Sequence, residues 1–247
     1  MALYDTLGRT YSATRRADPQ VAAQIGQALA DCSSVVNIGA GTGSYEPAQT
    51  IAAIEPSQIM IDQRPAGAAP AIRAEAEHVP LHDNCTDAAL AVLTVHHWAD
   101  LAAGIAEMRR IARYRLVVLT WDADAMGEKF WLLSEYLPEA RAVDAALAVP
   151  VDRLMSLLAD PDITPVPVPH NCADGFAASF WRRPDAYLDP RVQAGMSLFT
   201  KAGPSMVSVG LARLAADLQS GRWQREHAGL MELTQLDLGY RLITARA

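Results

Sequence analysis

Three glycines at alternate positions follow a short apolar segment near the start of the chain. Residues 35–38 read Val-Val-Asn-Ile, and Gly39, Gly41 and Gly43 come directly after them. Because glycine has no Cβ, a chain with this spacing can turn tightly and bring its backbone close to a bound ligand. A nearly continuous apolar run is also expected of a central strand in a parallel sheet. The pattern therefore predicts a ligand-binding loop at the end of a buried strand.

The spacing of the glycines distinguishes this loop from two better-known phosphate-binding loops. The nicotinamide dinucleotide fingerprint has the form G-x-G-x-x-G, so its third glycine would fall at position 44, where this chain has Ser44. The loop also lacks the Gly-Lys-Ser/Thr sequence of a nucleoside triphosphate P-loop. We expect neither ligand, and a nicotinamide oxidoreductase stays an alternative that titration with the reduced cofactor would test.

A carboxylate stands at the end of the next predicted strand. Glu55 lies sixteen residues after Gly39 and directly follows the apolar segment 50–54. Its two oxygens can each accept a hydrogen bond, which matches the two hydroxyls of a ribose diol. A glycine loop followed by a strand-end acid at this spacing indicates a nucleoside-containing ligand. The alternative is that Glu55 is only a solvated strand end.

Apolar runs alternate with helical patterns in the first half of the chain, which predicts βα units around a parallel sheet. Asp18 and Asp100 stand where helix N-caps are expected, and Pro19 suits the first helical position. The predicted strands are residues 35–38, 50–54, 71–74, 88–95 and 116–121, and the predicted helices are residues 18–31, 57–64 and 100–113.

The pattern changes after Trp121, where long helical segments replace the alternation. The predicted helical segments are residues 123–160 and 173–228, and the predicted strands are residues 163–168 and 236–245. Pro165 and Pro167 each remove a backbone donor, so the strand that holds them should lie at the edge of the sheet. A helical insertion late in an α/β domain is expected to form a lid over a ligand at the strand ends. The alternative is additional packing without a ligand role.

The composition is that of an ordinary globular protein. The 247 residues are 51% hydrophobic and 20% charged, which excludes a disordered or fibrous chain. The 21 lysines and arginines are outnumbered by 28 acidic residues, so the formal net charge is -7. This balance provides no broad attraction for nucleic acid phosphates. We therefore expect a small-molecule partner and no nucleic acid, and leave the oligomeric state open.

Neither a secretion signal nor a membrane segment is expected. The first residues lack the basic and apolar plan of a signal peptide, and no stretch approaches the ~18–20 apolar residues of a membrane span. We therefore predict a cytoplasmic protein without membrane contact. Cys32, Cys85 and Cys172 lie far apart, so reduced and mostly buried thiols are expected, and no metal site is predicted.

Five sequence elements together resemble the class I S-adenosylmethionine-dependent methyltransferases of the small-molecule type, which carry a methyltransferase-11-like domain. They are Tyr4 with Tyr11, the loop 39–43, Glu55-Pro56-Ser57, the segment 75–80 (Glu-Ala-Glu-His-Val-Pro) and the segment 93–98 (Leu-Thr-Val-His-His-Trp). The resemblance covers residues 4–122 well and the remainder loosely.

The resemblance implies a Rossmann-like α/β fold. We expect a seven-stranded, mostly parallel sheet with one antiparallel edge strand, plus helical insertions that form a lid. Residues 1–122 would be the core that binds S-adenosylmethionine. Residues 123–247 would complete the sheet and supply the lid over the acceptor, through the insertions at 123–160 and 173–228, within one compact domain.

The resemblance also implies the residues that hold S-adenosyl-L-methionine. The glycine loop would pass the amino acid end of the cofactor, Glu55 would bind the ribose hydroxyls, and Glu75 would accept from the adenine amine. Tyr11, or less directly Tyr4 or Arg15, would close over the cofactor carboxylate. The full implied set is Tyr11, Gly39, Ala40, Gly41, Gly43, Glu55, Pro56, Glu75, Ala76, Leu93 and Thr94.

Two features depart from the family pattern. The family often has an acidic residue where this chain has Asn37, which puts a contact through that side chain in doubt. Residues 44–47 also leave room for barely one helical turn before the second strand. A helix dipole at the loop therefore contributes little, and backbone proximity must do more.

The function implied is transfer of a methyl group to a small, aromatic or apolar metabolite. The acceptor atom stays open among oxygen, nitrogen and carbon. A hydroxyl acceptor would need a general base, for which His97, then His96, and thirdly His170 are candidates; His96 and His97 could instead belong to a structural loop. The alternative function is a non-methylating cyclase or scaffold on the same fold, which would still bind S-adenosylmethionine.

An apolar enclosure would suit methyl transfer, because a neutral acceptor spreads the positive charge of the sulfonium as it reacts. The aromatic side chains that could form this enclosure, or equally a core, are Trp98, Phe130, Trp131, Tyr136, Phe176, Phe180, Trp181 and Phe199.

Overall fold

The computed structural model describes residues 15–247, which form two compact units. The first unit contains residues 15–121, Val149–Pro165 and Arg241–Ala247, and the second contains Asp122–Ala148 and Val166–Tyr240. The chain leaves the first unit after Trp121 and returns to it twice, and the predicted division into a core and a remainder within one domain stays a prediction. The role of the helical segments as a lid stays a prediction.

The first unit is built on a seven-stranded sheet. The strands of both units, numbered in chain order, are β1 (Val35–Ile38), β2 (Thr50–Ile54), β3 (Ala71–Ile72), β4 (Thr86–Val92), β5 (Ala112–Trp121), β6 (Ala159–Pro165), β7 (Val168–Pro169), β8 (Gln235–Leu236) and β9 (Tyr240–Arg246). Their order in the sheet is β3-β2-β1-β4-β5-β9-β6, whereas β7 and β8 form a two-stranded antiparallel sheet in the second unit. The predicted Rossmann-like, mostly parallel seven-stranded sheet is confirmed.

Strand register brings several chain turns to one edge of this sheet. β1 pairs in parallel with both β2 and β4, with Ile38 opposite Ile54 and Ala91. The segments that follow these three strands therefore meet at the carboxyl edge, where open α/β sheets bind ligands. At the far side, β6 pairs antiparallel with β9 and forms the sheet edge, as Pro165 predicts. β6 nevertheless begins inside the predicted helical segment 123–160 and ends at Pro165, so Pro167 lies outside it.

Helices flank the sheet and make up most of the second unit. In chain order they are α1 (Pro19–Ala28), α2 (Gln58–Asp62), α3 (Leu101–Ile111), α4 (Ala123–Lys129), α5 (Pro138–Leu147), α6 (Val151–Ser156), α7 (Pro190–Ala194), α8 (Ser197–Ala202), α9 (Pro204–Gln219) and α10 (Arg222–Glu226). The Asp18 carboxylate accepts from the amides of Gln20 and Val21 at the start of α1, and the predicted Asp100 cap does the same for α3.

Short polar and irregular segments interrupt the predicted elements at several ends. β4 spans Thr86–Val92 instead of 88–95, because the chain turns at Leu93, which has a φ of 49°. α3 ends at Ile111 and β5 begins at once, two residues before the predicted helix end. The Arg113 guanidinium there donates to Asn84 O and to Asp87, which supports an extended conformation at that point.

The sheet core is aliphatic, and its central strands are the most buried. Every residue of β1 is buried, and Ile38, Ile54 and Val118 have no exposed surface. Full burial of each such side chain contributes roughly 1.5–3 kcal/mol relative to exposure. The strands that carry the loops of the carboxyl edge are therefore held rigidly.

The aromatic residues considered for an acceptor enclosure lie mostly in the core of the second unit. Trp131 donates from Nε1 to Trp181 O at 2.8 Å, and Trp181 donates from Nε1 to Val168 O at 3.1 Å. Phe130 and Tyr187 are fully buried beside them. These side chains are packed within the unit that contains them. Among residues 15–247, no helix is long and apolar enough to cross a bilayer.

Candidate functional site

A cleft at the carboxyl edge of the sheet collects most of the residues that the sequence singles out. It encloses about 860 Å³ of space, part of it open to solvent, and lies within the first unit. The predicted residues on its wall are Gly39, Ala40, Gly41, Glu55, Pro56, Glu75, Ala76, Leu93, Thr94 and His97. The other wall residues are Arg15, Asn37, Thr42, Ser44, Tyr45, Met60, Val92 and Trp98. A ligand pocket of a few hundred Å³ is typical of small-molecule sites.

The first half of the glycine loop lies against the turn that follows β4. Gly39 has a φ of 65°, and a Cβ built on it would be 2.0 Å from Thr94 Oγ1. A side chain at position 39 is therefore excluded both by backbone conformation and by space. The amide of Ala40 donates to Ile54 O at 3.0 Å, which ties the loop to the end of β2.

Glu55 connects the loop to the start of α2. Its Oε2 accepts from the Gly41 amide at 2.8 Å, and its Oε1 accepts from the Ser57 amide at 2.9 Å. Only 5% of the residue is exposed, and this burial raises the pKa of the Glu55 carboxyl, against the lowering effect of the two backbone hydrogen bonds. Each oxygen keeps a further lone pair, so the carboxylate can still accept from a diol.

Gly43 does not lie on the cleft wall. A Cβ there would be 3.1 Å from Arg64 Nη1, so the third glycine packs against the guanidinium of a residue that follows α2. Arg64 in turn donates to both carboxylate oxygens of Glu46. The ligand contact implied for Gly43 stays a prediction, and its position in the structure gives it a packing role. The partner could not be seen in the sequence because it lies twenty-one residues away.

The turn after β4 contains an unusual backbone conformation. Leu93 is not glycine, yet its φ is 49°, and its amide donates to Leu119 O at 2.8 Å. A left-handed conformation costs roughly 1–2 kcal/mol for such a residue, and residues of this kind often occur at functional sites. Here the turn places Thr94 under Gly39 and brings the following residues to the cleft.

The two histidines after this turn have different surroundings. His97 is exposed on the cleft wall, whereas His96 lies behind it, with the two ring centroids 3.7 Å apart. The His96 ring also meets Trp121 edge-on at 4.7 Å. Burial, followed by the charges of His97 and Arg15, holds the pKa of His96 well below its ordinary value. His96 is therefore neutral at pH 7, and His97 is the histidine placed on the wall.

Tyr45 is a wall residue that the sequence did not single out. Its hydroxyl accepts from the Asp18 amide at 3.2 Å, which joins the glycine loop to the N-cap of α1. Arg15, which precedes that cap, lines the same cleft. Tyr4 and Tyr11, which the resemblance places over the cofactor carboxylate, lie outside the described residues. A tyrosine two residues after the loop was the available signal for Tyr45, but its partner was not predictable.

The wall fits the sulfonium nucleoside that the resemblance implies. Gly39 and Gly41 carry no side chain on this wall, and a Cβ at Gly41 would meet Met60 Cε at 3.3 Å. The carboxylate of Glu55 is held in place by two backbone amides, and its remaining lone pairs match the diol of a ribose. Asn37 adds a buried Oδ1 that has no hydrogen-bond partner among the described residues. Glu55 and the glycines of the loop thus lie in one cleft.

A Rossmann-like sheet with this cleft at its carboxyl edge places the protein among the nucleotide-binding α/β proteins. Residues 36–115 match the family model described as a methyltransferase domain. A solved structure from Anabaena variabilis, named as a candidate methyltransferase from an antibiotic biosynthesis pathway, is 33% identical. The match has a TM-score of 0.85 and covers 94% of this chain and 98% of the other. The chain belongs to the S-adenosylmethionine-dependent methyltransferase family, and S-adenosylmethionine is its cofactor.

More distant structures share the fold alone. One from Thermotoga maritima, named as an S-adenosylmethionine-dependent methyltransferase and a candidate histamine N-methyltransferase, is 17% identical with a TM-score of 0.54. The match covers 98% of this chain and 91% of the Thermotoga maritima chain. The 4+2-cyclase SpnF is 15% identical with a TM-score of 0.54, covering 99% of this chain and 93% of its own. No match was found among the curated proteins.

Proposed function

We propose that the protein transfers the methyl group of S-adenosylmethionine to a small organic acceptor, aromatic or apolar in character. The observation that carries this proposal is the single cleft shared by the glycine loop, Glu55 and the turn after β4. When bound, the cofactor supplies a methyl group on a positively charged sulfur. The similarity to the Anabaena variabilis protein over nearly all of both chains supports an acceptor from antibiotic-type metabolism.

Each segment of the cleft wall has a separate binding role in this proposal. The backbone of residues 39–41 passes the amino acid end of the cofactor, and Arg15 on the wall offers a cation for its carboxylate. Glu55 holds the ribose hydroxyls, Glu75 and the buried Ala76 meet the adenine, and Pro56 lies beside it. Fixing the cofactor along its whole length aligns it with an acceptor, and such positioning is worth roughly 7–11 kcal/mol.

His97 is the proposed general base when the acceptor carries a hydroxyl. It is exposed on the cleft wall and follows the turn that brings β4 to the loop. A histidine there can take a proton from an oxygen acceptor near neutral pH. His96 supports this ring from behind at a centroid distance of 3.7 Å, and its neutral state adds no second charge. An amine or carbon acceptor would not need this step.

Binding of S-adenosylhomocysteine tests the cofactor half of the proposal. We expect the wild-type protein to bind it by calorimetry and to unfold at a higher temperature in its presence. Glu55→Ala should lose most of this binding, because the variant removes both acceptor oxygens from the ribose site. Asp62→Ala is the matched control, since it removes an exposed carboxylate of the same charge from the nearby α2. Equal binding by the two variants would contradict the assigned role of Glu55.

Transfer of a labelled methyl group tests the reaction itself. The protein is incubated with S-adenosylmethionine labelled in the methyl group and a panel of phenols, amines and carbon acids. Label in an organic product, with a mass increase of one methylene, supports methyl transfer. Binding without any transfer across that panel would favour the alternative of a non-methylating protein. His97→Ala should slow transfer to phenols and leave S-adenosylhomocysteine binding unchanged.

A further inference from the structure

A buried ion pair lies directly behind the glycine loop. Arg64 donates from Nη2 to Glu46 Oε1 at 2.7 Å and to Oε2 at 2.8 Å, and only 5% and 7% of the two side chains are exposed. Glu46 Oε1 also accepts from the Ala69 amide at 3.1 Å, while Arg64 donates to Ala69 O at 3.0 Å. A pair this deeply buried is costly unless its remaining hydrogen-bonding groups are satisfied, and Ala69 satisfies only part of them, because Arg64 Nη1 is buried without a partner among the described residues. The Ala69 amide holds Oε1 of Glu46, so Oε2 is the oxygen that points away from Ala69.

The second oxygen of Glu46 reaches the cleft wall through Asn37. Glu46 Oε2 accepts from Asn37 Nδ2 at 3.3 Å. A carboxylate only accepts hydrogen bonds, so the amide must present its NH₂ group to Glu46 and direct its carbonyl oxygen elsewhere. That oxygen, Asn37 Oδ1, is buried and has no partner among the described residues, and Asn37 lines the cleft. An unsatisfied buried acceptor on a ligand site indicates a donor supplied by the ligand.

We infer that Glu46 is a positioning residue for the cofactor site, which acts through Asn37. It holds the Asn37 amide in the one orientation that leaves a carbonyl oxygen for the ammonium group of the cofactor. The inference rests on the proposed cofactor role of the cleft. It also accounts for the neutral residue at position 37, where the resemblance leads us to expect an acid: the carboxylate stands nine residues later and is paired with Arg64.

The orientation can be reversed by a single substitution. In Glu46→Gln, the Ala69 amide and Arg64 both still require the oxygen in the place of Oε1, so the new NH₂ group takes the place of Oε2 and faces Asn37. Arg64 then loses its second hydrogen bond, to Oε2, and keeps the first. The Asn37 amide then turns its oxygen toward position 46 and presents NH₂ to the cleft. Two donors would face each other there once the ammonium binds. The ammonium would lose a charged hydrogen bond, so we expect S-adenosylhomocysteine to bind about tenfold or more weakly.

The double variant Asn37→Asp with Glu46→Gln should restore binding. The new side-chain amide at position 46 would donate to one oxygen of the new carboxylate, and the other oxygen would face the ammonium. Asn37→Asp alone places two carboxylates where a 3.3 Å hydrogen bond now stands, so it should weaken binding. We expect the double variant to return to within about threefold of wild type, which is under 1 kcal/mol. A residue that only braces the loop would not be rescued by a substitution at position 37.

The decisive measurement compares two ligands by calorimetry. One is S-adenosylhomocysteine, and the other is its analogue with hydrogen in place of the α-amino group. Glu46→Gln should weaken only the first, and the double variant should rescue only the first. Equal weakening of both ligands, or no rescue, overturns the inference while leaving the cofactor assignment intact. If wild type binds neither ligand, the cofactor assignment fails and this inference with it.

A second variant keeps the test valid if Glu46→Gln does not fold. Asn37→Leu removes the carbonyl oxygen and leaves the pair between Glu46 and Arg64 in place. It should show the same selective loss for S-adenosylhomocysteine, with the analogue bound as in wild type. Unchanged binding of both ligands by this variant would also overturn the inference. Circular dichroism and thermal unfolding of each variant establish that the folded protein is being compared.

Discussion

The two compact units of the protein are stabilised by different kinds of interaction. In the first unit, backbone geometry dominates near the cleft: Gly39 and Gly41 take positive φ values, and Glu55 binds two backbone amides. In the second unit, large aromatic rings dominate, with Trp131 and Trp223 centroids 5.1 Å apart. The first arrangement requires glycines, which have no side chain, whereas the second requires large aromatic side chains that fill the core.

This difference explains how each unit responds to change. A glycine at a positive φ next to another segment tolerates no side chain, because strain and overlap add together. A buried aromatic side chain tolerates no truncation, because a cavity remains where it stood. Substitutions in the second unit should therefore lower stability without altering the cofactor site. Substitutions in the loop should affect binding at least as strongly as stability.

Trp181→Ala should have the largest effect on stability. The side chain is fully buried, and its Nε1 donates to Val168 O at 3.1 Å. Truncation of a buried aromatic residue costs roughly 3–5 kcal/mol. Urea unfolding should show that loss, while the dissociation constant of S-adenosylhomocysteine stays within about twofold of wild type at low temperature. Trp181→Phe is the milder control; a large loss of cofactor affinity in the alanine variant would show that the two units are not energetically separate.

Gly39→Ala should come next and should act on the first unit. The new Cβ would lie 2.0 Å from Thr94 Oγ1 on a backbone with a φ of 65°. Overpacking and left-handed strain together should cost about 2–4 kcal/mol and displace the loop. Gly221→Ala is the control, because Gly221 is left-handed with a φ of 69° and its Cβ would meet only the flexible end of Arg225, at 3.3 Å. The excess loss of unfolding free energy in Gly39→Ala over Gly221→Ala reports the overlap with Thr94, and equal losses would contradict the close packing of Gly39 on Thr94.

The sequence predicted those parts of the fold that depend on local patterns. β1 and β2 have the predicted bounds, because their apolar runs end in glycine or in Glu55-Pro56. The caps at Asp18 and Asp100 were predicted because a carboxylate before a helical pattern satisfies free amides. These signals are contained in a few adjacent residues.

Features that depend on distant contacts could not be predicted. The end of β4 was placed too late because Leu93-Thr94-Val95 continues the apolar run, and nothing in it announces a positive φ. The packing of Gly43 on Arg64 and the hydrogen bond between Tyr45 and Asp18 join residues that are far apart in sequence. Sequence reasoning therefore found the segments of the cleft but not the groups that brace them.

The acid sensitivity of the first unit should depend on His96. Burial, His97 and Arg15 hold the pKa of this residue well below its ordinary value of 6.5, so the folded state binds its proton less readily than the unfolded state. The contribution of neutral His96 to the free energy of unfolding is therefore complete above pH 6.5. It falls as the pH drops from 6.5 toward the lower pKa of His96 in the folded state. His96→Phe should lessen this fall and keep an edge-on contact with Trp121. The measurement is urea unfolding of each variant at about pH 8 and about pH 5.5. His82→Phe is the control, because His82 is exposed. The same pH dependence in both variants would contradict the role of His96.

Leu93 offers the smallest and most specific test of how backbone strain shapes the cleft. Its φ of 49° disfavours any β-branched residue strongly, whereas asparagine tolerates this conformation. Leu93→Asn should therefore change the free energy of unfolding by less than about 1 kcal/mol, because relief of strain offsets the loss of apolar burial. Leu93→Val keeps the apolar character but should cost more than Leu93→Asn. That order is the reverse of hydrophobicity, so urea unfolding of the two variants distinguishes backbone strain from side-chain burial. If the valine variant is the more stable one, burial controls this position, and the turn that brings Thr94 under the glycine loop does not depend on a strained residue.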